Sequence, residues 1–135
     1  MKVDPKNDLE ARYFATNPNS LKHFKAYPEA TPGGVAKGAY FYPPYPLTME
    51  RGDGPYLWDV DSNRYLDFAN HHTSQILGHN NPAVMDAVQT QLSHGVAVGS
   101  PMGYETELCS ELCGRVDSLQ RVRFCNSGTE AIIKS

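Results

Sequence analysis

Four small or hydrogen-bonding residues near the end of the sequence, Asn126 to Thr129 in RVRFCNSGTEAIIKS, have the composition of an anion site. They lie between the alternating run VRFC and a stretch that favours a helix from Glu130. The first turn of a helix has backbone N–H groups without internal partners, and the helix dipole adds positive potential there. Small residues let a phosphate approach this backbone, and Ser127 and Thr129 add hydroxyl donors. The segment is therefore a candidate phosphate cup.

The same residues also suit an ordinary helix N-cap. In S-G-T-E, Ser127 can cap the first turn while Glu130 occupies its third position. The six residues NSGTEA alone do not choose between the two interpretations.

Composition limits the classes of function. The chain has 135 residues, 40% hydrophobic and 20% charged, which is typical of a globular protein with a core. Its net charge of −3 and scattered lysines and arginines argue against nucleic-acid binding. No apolar run is long enough for a bilayer, and the charged start MKVDPKNDLEAR lacks a signal-peptide core. We expect a cytoplasmic protein that binds neither nucleic acid nor membrane.

The cysteines are odd in number, and we expect Cys109, Cys113 and Cys125 to be reduced thiols. Cys109 and Cys113 are four residues apart on a predicted helix, a spacing that can hold a metal ion. Two thiols without a nearby third ligand favour packing instead, so we predict no metal site.

The elements that would position the cup divide the chain into three predicted domains. Residues 1–46 hold two helices, Asp8 to Thr16 and Ser20 to Tyr27, and then PEATPGGVAKGAYFYPPYPL, an ordered arm too aromatic for a flexible linker. Residues 47–102 hold three antiparallel strands in LTMER, YLWDV and RYLDF, with tight turns at GDGP and DSN, followed by a loop and a helix that starts at Pro82.

Residues 103–135 are predicted to begin a larger domain. A helix from Glu105 to Arg115 precedes the strand VRFC and the helix after the cup. In the strand YLWDV, Tyr56, Trp58 and Val60 share one face, which we expect to be the buried face of the sheet.

Three segments, GDGPYLWDVDSNRYLDF, ILGHNNPAV and RVRFCNSGTEA, occur in an order and spacing that resemble the N-terminal part of class III aminotransferases. These are pyridoxal-phosphate (PLP) enzymes of fold type I, and the group includes glutamate-1-semialdehyde aminomutase. The region PGG…FYPPYPLTMERGDG is most similar to the β-amino-acid aminotransferases. The resemblance runs from about Pro32 to the end of the sequence. It implies an α/β fold with a helical N-terminal arm, an antiparallel meander and the first strand–helix unit of the large domain.

The resemblance assigns cofactor binding to the cup. In the family the S-G-T segment grips the PLP phosphate, which implies that role for Ser127, Gly128 and Thr129. The family's D-x-D-G-x-x-Y-x-D hairpin is implied to shape the small domain without chemistry. We match it to Asp59, Asp61, Asn63 in place of the glycine, Tyr65 and Asp67. His79 of LGHNNP is expected to make local hydrogen bonds.

Two departures from the family pattern concern the substrate pocket. Relatives that act on β-amino acids carry an arginine after PGG that grips the substrate carboxylate, whereas this chain has Lys37 nearby. Lysine is a point charge and cannot reproduce the bidentate fork of arginine. Where aminomutase-type members carry a pocket tryptophan, this chain has His71-His72, and we assign His72 to the pocket wall. An exposed loop histidine is the alternative.

The resemblance places the catalytic lysine and the acidic partner of the pyridine nitrogen beyond Ser135, so no catalytic residue is predicted here. Lys134, five residues past Thr129, is expected to point away from the cofactor aldehyde. We therefore expect the N-terminal part of a longer enzyme, a homodimer that moves an amino group between an amine or amino acid and a keto acid. The alternatives are a glutamate-1-semialdehyde-type aminomutase and a non-catalytic fragment or interaction subunit.

Overall fold

The computed structural model describes residues 5–27 and 31–135, which form two compact units. One unit reaches to Ser93, and the other runs from His94 to Ser135. The beginning of the first predicted domain (1–4) and the first residues of the predicted arm (28–30) lie outside the described residues. The domain boundaries at 46/47 and 102/103 stay predictions.

Two helices open the first unit, Pro5–Thr16 and Pro18–Ala26. Both overlap the predicted helices, and each begins at a proline, the residue best tolerated where a helix starts. Asn17 separates them and is buried, and its side-chain amide donates to the carbonyl of Tyr13 at 2.8 Å. Asn17 therefore forms a packed joint between the two helices.

The described part of the predicted arm, from residue 31 onward, packs against the two helices through Tyr45. Two 3₁₀ turns, Pro32–Gly34 and Gly38–Tyr40, lead to Tyr45, which is 1% exposed. The Tyr45 hydroxyl donates to the carbonyl of Asn17 at 3.0 Å. Its ring packs against three aromatic rings of the two helices, with centroids 5.0, 5.4 and 6.3 Å away: Tyr13, Phe14 and Phe24.

Three antiparallel strands form the predicted meander: β1 (Met49–Asp53), β2 (Tyr56–Asp59) and β3 (Arg64–Leu66), in the order β1-β2-β3. Gly54 has a φ of 51° in the first turn, as the sequence Asp-Gly predicts. In the second turn Ser62 has a φ of 67°. The expectation that Asn63 takes the glycine position is therefore wrong.

Asp59, which is 0% exposed, organises the second turn. Its carboxylate accepts hydrogen bonds from the backbone N–H groups of Asp61 at 3.0 Å and Asn63 at 2.8 Å. The Tyr65 hydroxyl and the Asn63 amide complete its partners at 2.7 and 3.0 Å. A buried carboxylate needs such a full set of donors.

The sheet does not bury the face that the alternation predicts. Tyr56 and Trp58 are half-buried, and arginine side chains stack on them. The guanidinium carbon of Arg51 lies 3.6 Å from the Trp58 ring centroid, and that of Arg64 lies 4.7 Å from the centroid of Tyr56. Cation–π contacts with long side chains cover this face in place of an apolar layer.

The remaining helices are Pro82–His94, Gly103–Arg115 and Gly128–Lys134. The side-chain oxygen of Asn81 accepts from the N–H groups of Ala83 and Val84 at 3.1 and 3.4 Å, so it caps the first of them. None of the helices in residues 5–27 and 31–135 has the length and apolar content to cross a bilayer.

The predicted strand VRFC, residues 122–125, is not a strand in the structure. In the described part of the chain it has no ladder partner. A strand is defined by hydrogen bonds to a neighbour, and alternation alone does not supply one.

Candidate functional site

The helix cap that the sequence offers as one interpretation of NSGTEA is present. Ser127 is extended, and its hydroxyl oxygen accepts from the Glu130 N–H at 3.1 Å. The Glu130 carboxylate reaches back and accepts from the Asn126 N–H at 3.0 Å. These two bonds form a variant of the capping box, shifted by one residue at its start.

The helix cap leaves other hydrogen-bond donors of this turn available to bind an anion. In the described part of the chain the backbone N–H groups of Ser127, Gly128 and Thr129 have no hydrogen-bond partner, and neither does the Thr129 hydroxyl. The Ser127 hydroxyl accepts a bond in the cap and keeps its proton for donation. A Cβ placed on Gly128 would meet nothing within 4 Å, so the space above the backbone is open. These residues fit a phosphate group.

The negative charge of Glu130 is paired within the helix. The carboxylate of Glu130 forms an ion pair with the ammonium of Lys134, one helical turn away. The Lys134 bond and then the Asn126 N–H hold the pKa of Glu130 below its usual value. The pair holds Lys134 along the helix surface.

The cysteines of the second unit are free thiols. Cys109 and Cys113 lie on the Gly103–Arg115 helix, and the Cys125 thiol donates to the carbonyl of Ser127 at 3.7 Å. The described residues contain no group of three or more side chains placed to hold a metal ion.

Lys37 lies in the first unit, immediately before the Gly38–Tyr40 turn, and is exposed. Its ammonium is 5.6 Å from the centroid of the Tyr40 ring, a cation–π contact within the arm.

His72 also lies in the first unit, in a single turn of left-handed backbone, Asn70–Thr73. The four residues have φ values of 46°, 46°, 55° and 69°. Consecutive left-handed residues other than glycine are costly, at about 1–2 kcal/mol each. Such strain recurs at functional sites. His72 is exposed, and its ring centroid is 6.2 Å from that of His71.

A cavity of about 490 Å³ lies beside this turn in the first unit. Neither Lys37 nor His72 lines it, so the structure does not bring the two predicted pocket residues together there. Its lining consists of Gly54, Pro55, Asp67, Phe68, Asn70, Gln75, Ile76, Leu77, Gly78 and His79.

His79 makes a hydrogen bond, but its partner is twelve residues earlier in the sequence and not local. Its partner is Asp67, with 2.7 Å between His79 Nε2 and Asp67 Oδ2. Sequence reasoning missed the pair, because no periodicity joins residues 12 apart across a loop. The available signal was only that both residues belong to family motifs.

Sequence comparisons identify a matching family and related proteins. Residues 39–135 match the class III aminotransferase family. The chain is 37% identical to the β-phenylalanine transaminase of Variovorax paradoxus over 124 residues, 92% of this chain and 29% of that protein. It is 40% identical over 100 residues to the glutamate-1-semialdehyde 2,1-aminomutase of Methanothrix thermoacetophila, covering 74% of this chain and 23% of that protein.

Solved structures of transaminases superpose on this chain. The β-phenylalanine aminotransferase of Variovorax paradoxus superposes with a TM-score of 0.88 and 36% identity, over 95% of this chain and 30% of its own. A transaminase with PLP bound superposes with a TM-score of 0.83 and 33% identity, over 87% and 28%. The expected fold type I class is confirmed. The chain spans less than a third of the length of these relatives, and it belongs to the class III aminotransferase family.

Proposed function

We propose that the protein is a PLP-dependent aminotransferase that moves an amino group between an amine or amino acid and a keto acid. In this proposal Ser127, Gly128 and Thr129 hold the cofactor phosphate. The observation that carries it is the row of three unpartnered backbone N–H groups at an open helix start, among the described residues. The family match over residues 39–135 supports it.

Each residue of the cup has a separate task. The backbone N–H groups and the Thr129 hydroxyl donate to phosphate oxygens, and the Ser127 hydroxyl donates while its oxygen keeps the cap. Gly128 leaves room for the phosphate to approach the backbone. When bound, PLP supplies the electron sink for bond changes at the carbon that carries the amino group. The chain's own residues bind and orient it.

Lys37 and His72 are proposed for the substrate side. Lys37 offers one positive charge that the Tyr40 ring holds in the arm, which suits weak attraction of a substrate carboxylate more than a bidentate grip. His72 is proposed as a pocket wall, because its strained backbone resembles that of functional segments. No residue of this chain is proposed as the acid or base.

An aminomutase is the second candidate function. The 40% identity to the Methanothrix thermoacetophila aminomutase favours it. An aminotransferase needs a separate amino donor, whereas an aminomutase relocates the amino group within one molecule. Turnover that requires an added amine would support the first, and turnover of a single substrate without one would support the second. A homodimer and a cytoplasmic location are proposed from the family resemblance and the sequence.

The phosphate cup is tested by Gly128→Val. Gly128 and Gly114 both have open space where a Cβ would be, and neither has a positive φ, so Gly114→Val is a matched control. We expect Gly128→Val to lose PLP absorbance on extensive dialysis, because the valine side chain blocks approach to the backbone. Gly114→Val should keep it. Retention of PLP by Gly128→Val at the control level would exclude the cup.

A further inference from the structure

Residues 67–79 form the loop that carries the left-handed turn. Both ends of this loop are hydrogen-bonded to the turn between β1 and β2. At one end the Asp67 N–H donates to the carbonyl of Pro55 at 2.9 Å. At the other end His79 exchanges two backbone hydrogen bonds with Gly54, at 2.8 and 2.9 Å. The β1–β2 turn is thus a common anchor for residues 67 and 79.

The side chains of the same two residues close the loop a second time. His79 Nε2 lies 2.7 Å from Asp67 Oδ2, and the side chains are 18% and 7% exposed. The other carboxylate oxygen of Asp67 accepts from the N–H groups of Ala69 and Asn70, at 3.0 and 2.9 Å. The bond from His79, followed by that from the Asn70 N–H, holds the pKa of Asp67 below its usual value. Asp67 therefore joins the far end of the loop to the start of the left-handed turn.

Two glycines make room for this arrangement. A Cβ on Gly52 would lie 2.6 Å from Cγ of the His79 ring, so the ring packs directly on the β1 backbone. Gly78 has a φ of 78°, and its Cβ would lie 3.0 Å from the carbonyl oxygen of Gly54. Both contacts require glycine, which ties His79 to one position.

The backbone hydrogen bonds of the left-handed turn are longer than the backbone hydrogen bonds at the two ends of the loop. The backbone bonds Thr73 to Ala69, Ser74 to His71 and Gln75 to Asn70 measure 3.4, 3.4 and 3.3 Å, longer than a typical N–H···O bond. The turn also carries the cost of four left-handed residues. A strained segment persists only where its surroundings hold it.

We propose that Asp67 and His79 form a clamp that holds the Asn70–Thr73 turn in its left-handed form and so positions His72. Both are positioning residues that act through the loop and touch no reacting atom. The link to substrate binding rests on the proposed function. The clamp itself is a property of this unit alone.

The test compares two replacements of His79 in the protein. His79→Leu replaces the imidazole with an apolar side chain of similar size that has no hydrogen-bonding group. His79→Gln restores an N–H donor near the position of Nε2. The exposed His23, changed to Leu, is the control. Asp67→Asn removes the charge while keeping an oxygen for the backbone donors, and it tests the clamp from its other side should His79→Leu fail to fold.

Hydrogen exchange is the first measurement. We expect exchange of residues 69–78 to accelerate by at least about tenfold in His79→Leu, because a part-buried hydrogen bond to a charged group is lost. Exchange in the three strands should change much less, and His79→Gln should recover most of the protection. Unchanged exchange in the loop, or equal acceleration in the strands, would overturn the clamp.

Kinetics are the second measurement. We expect His79→Leu and Asp67→Asn to raise KM for the amino substrate while kcat and PLP retention stay near the starting values, since His72 is misplaced and the cup is intact. A fall in kcat with unchanged KM would contradict a positioning role. If the unaltered protein retains no PLP, the proposed function fails, while the exchange result still decides the clamp.

Discussion

The carboxylate of Asp61 caps a helix at Ser20, whose backbone N–H donates to it at 3.0 Å across 41 residues of sequence. The Asn19 N–H donates to the same carboxylate at 2.8 Å. The residue at the usual capping position, Asn17, makes no side-chain cap bond. Ser20 is fully buried, and its hydroxyl accepts from the N–H of Thr48 at 3.2 Å. The meander thus supplies the N-terminal cap of the Pro18–Ala26 helix.

Removal of this cap should destabilise the protein. We expect Asp61→Ala to lower the free energy of unfolding by about 1 kcal/mol, the usual effect of losing a helix cap. Asp117→Ala, at an exposed position, is the control and should change it little. Urea unfolding of the two variants measures the difference. Equal unfolding midpoints would show that the Asp61 bonds add nothing to stability.

The contribution of the Asp61 cap should depend on pH. Burial alone would raise the pKa of Asp61, but the N–H donors of Asn19 and Ser20 outweigh this effect and lower the pKa from its usual value. The cap therefore stabilises fully above the unfolded-state pKa, and the effect is lost as pH falls through the lower folded-state pKa. We expect the difference between Asp61→Ala and the unaltered protein to be present at neutral pH and to shrink in acid. A constant difference across this range would contradict the assignment.

The sequence predicts those parts of the fold that local chemistry decides. The turn at Gly54 follows from Asp-Gly, and the helix at Pro82 follows from proline after an asparagine cap. The sequence allows Ser127 to be a helix cap or part of a phosphate cup, and the structure contains the cap. The cap does not exclude the phosphate cup, because one hydroxyl can accept and donate at once.

The rest depends on partners that are distant in the sequence. The Asp61 cap and the Asp67–His79 pair join residues whose spacing has no local period. The segment VRFC, where a strand is expected, has no neighbouring strand among the described residues, so its alternating residues form no backbone hydrogen-bond ladder. The long side chain of Arg51 covers the Trp58 ring, which no apolar layer reaches. The alternation of residue types along a strand cannot reveal such a contact.

Ser127→Asp should separate the cap from the phosphate site. Aspartate caps a helix about as well as serine, so the Gly128–Lys134 helix should keep its start. Its carboxylate would repel a phosphate that carries about two negative charges at neutral pH. We expect PLP affinity to fall by roughly tenfold or more.

The measurements are a PLP absorbance titration and hydrogen exchange over residues 128–134. Thr129→Val, which removes one hydroxyl and keeps the shape, should show a smaller loss of affinity. Normal PLP binding by Ser127→Asp would mean that the phosphate lies elsewhere.

Lys37→Ala should change catalysis little. Lys37 is exposed, and its charge rests on the Tyr40 ring, a contact of about 0.5–1 kcal/mol at such sites. Truncation of a buried charge pair costs 2–5 kcal/mol or more. We therefore expect kcat/KM to fall by less than about tenfold. Steady-state kinetics on amines with and without a carboxylate measure it, and a thousandfold loss confined to carboxylates would make Lys37 the grip.

Lys134 should not become attached to the cofactor. Its ammonium pairs with Glu130, whose carboxylate also accepts from the Asn126 N–H at 3.0 Å, so the lysine is held along the helix that starts at the cup. We expect the 135-residue chain, incubated with PLP and treated with borohydride, to show no stoichiometric adduct at Lys134 by mass spectrometry.

The control for Lys134 is Lys134→Gln, which keeps a hydrogen-bond donor for Glu130 without a reactive amine. In the protein this variant should retain PLP and activity at the level of the unaltered sequence, because the lysine acts only within the helix. Two results would contradict this prediction. One is a loss of activity in Lys134→Gln while the helix stays protected from exchange, and the other is a single adduct on Lys134 at full occupancy in the unaltered chain. Either would give Lys134 a catalytic role and contradict the arrangement proposed for the cup. Either result would mean that the Lys134 side chain leaves Glu130 when the cofactor binds, which costs little because the ion pair is exposed to solvent.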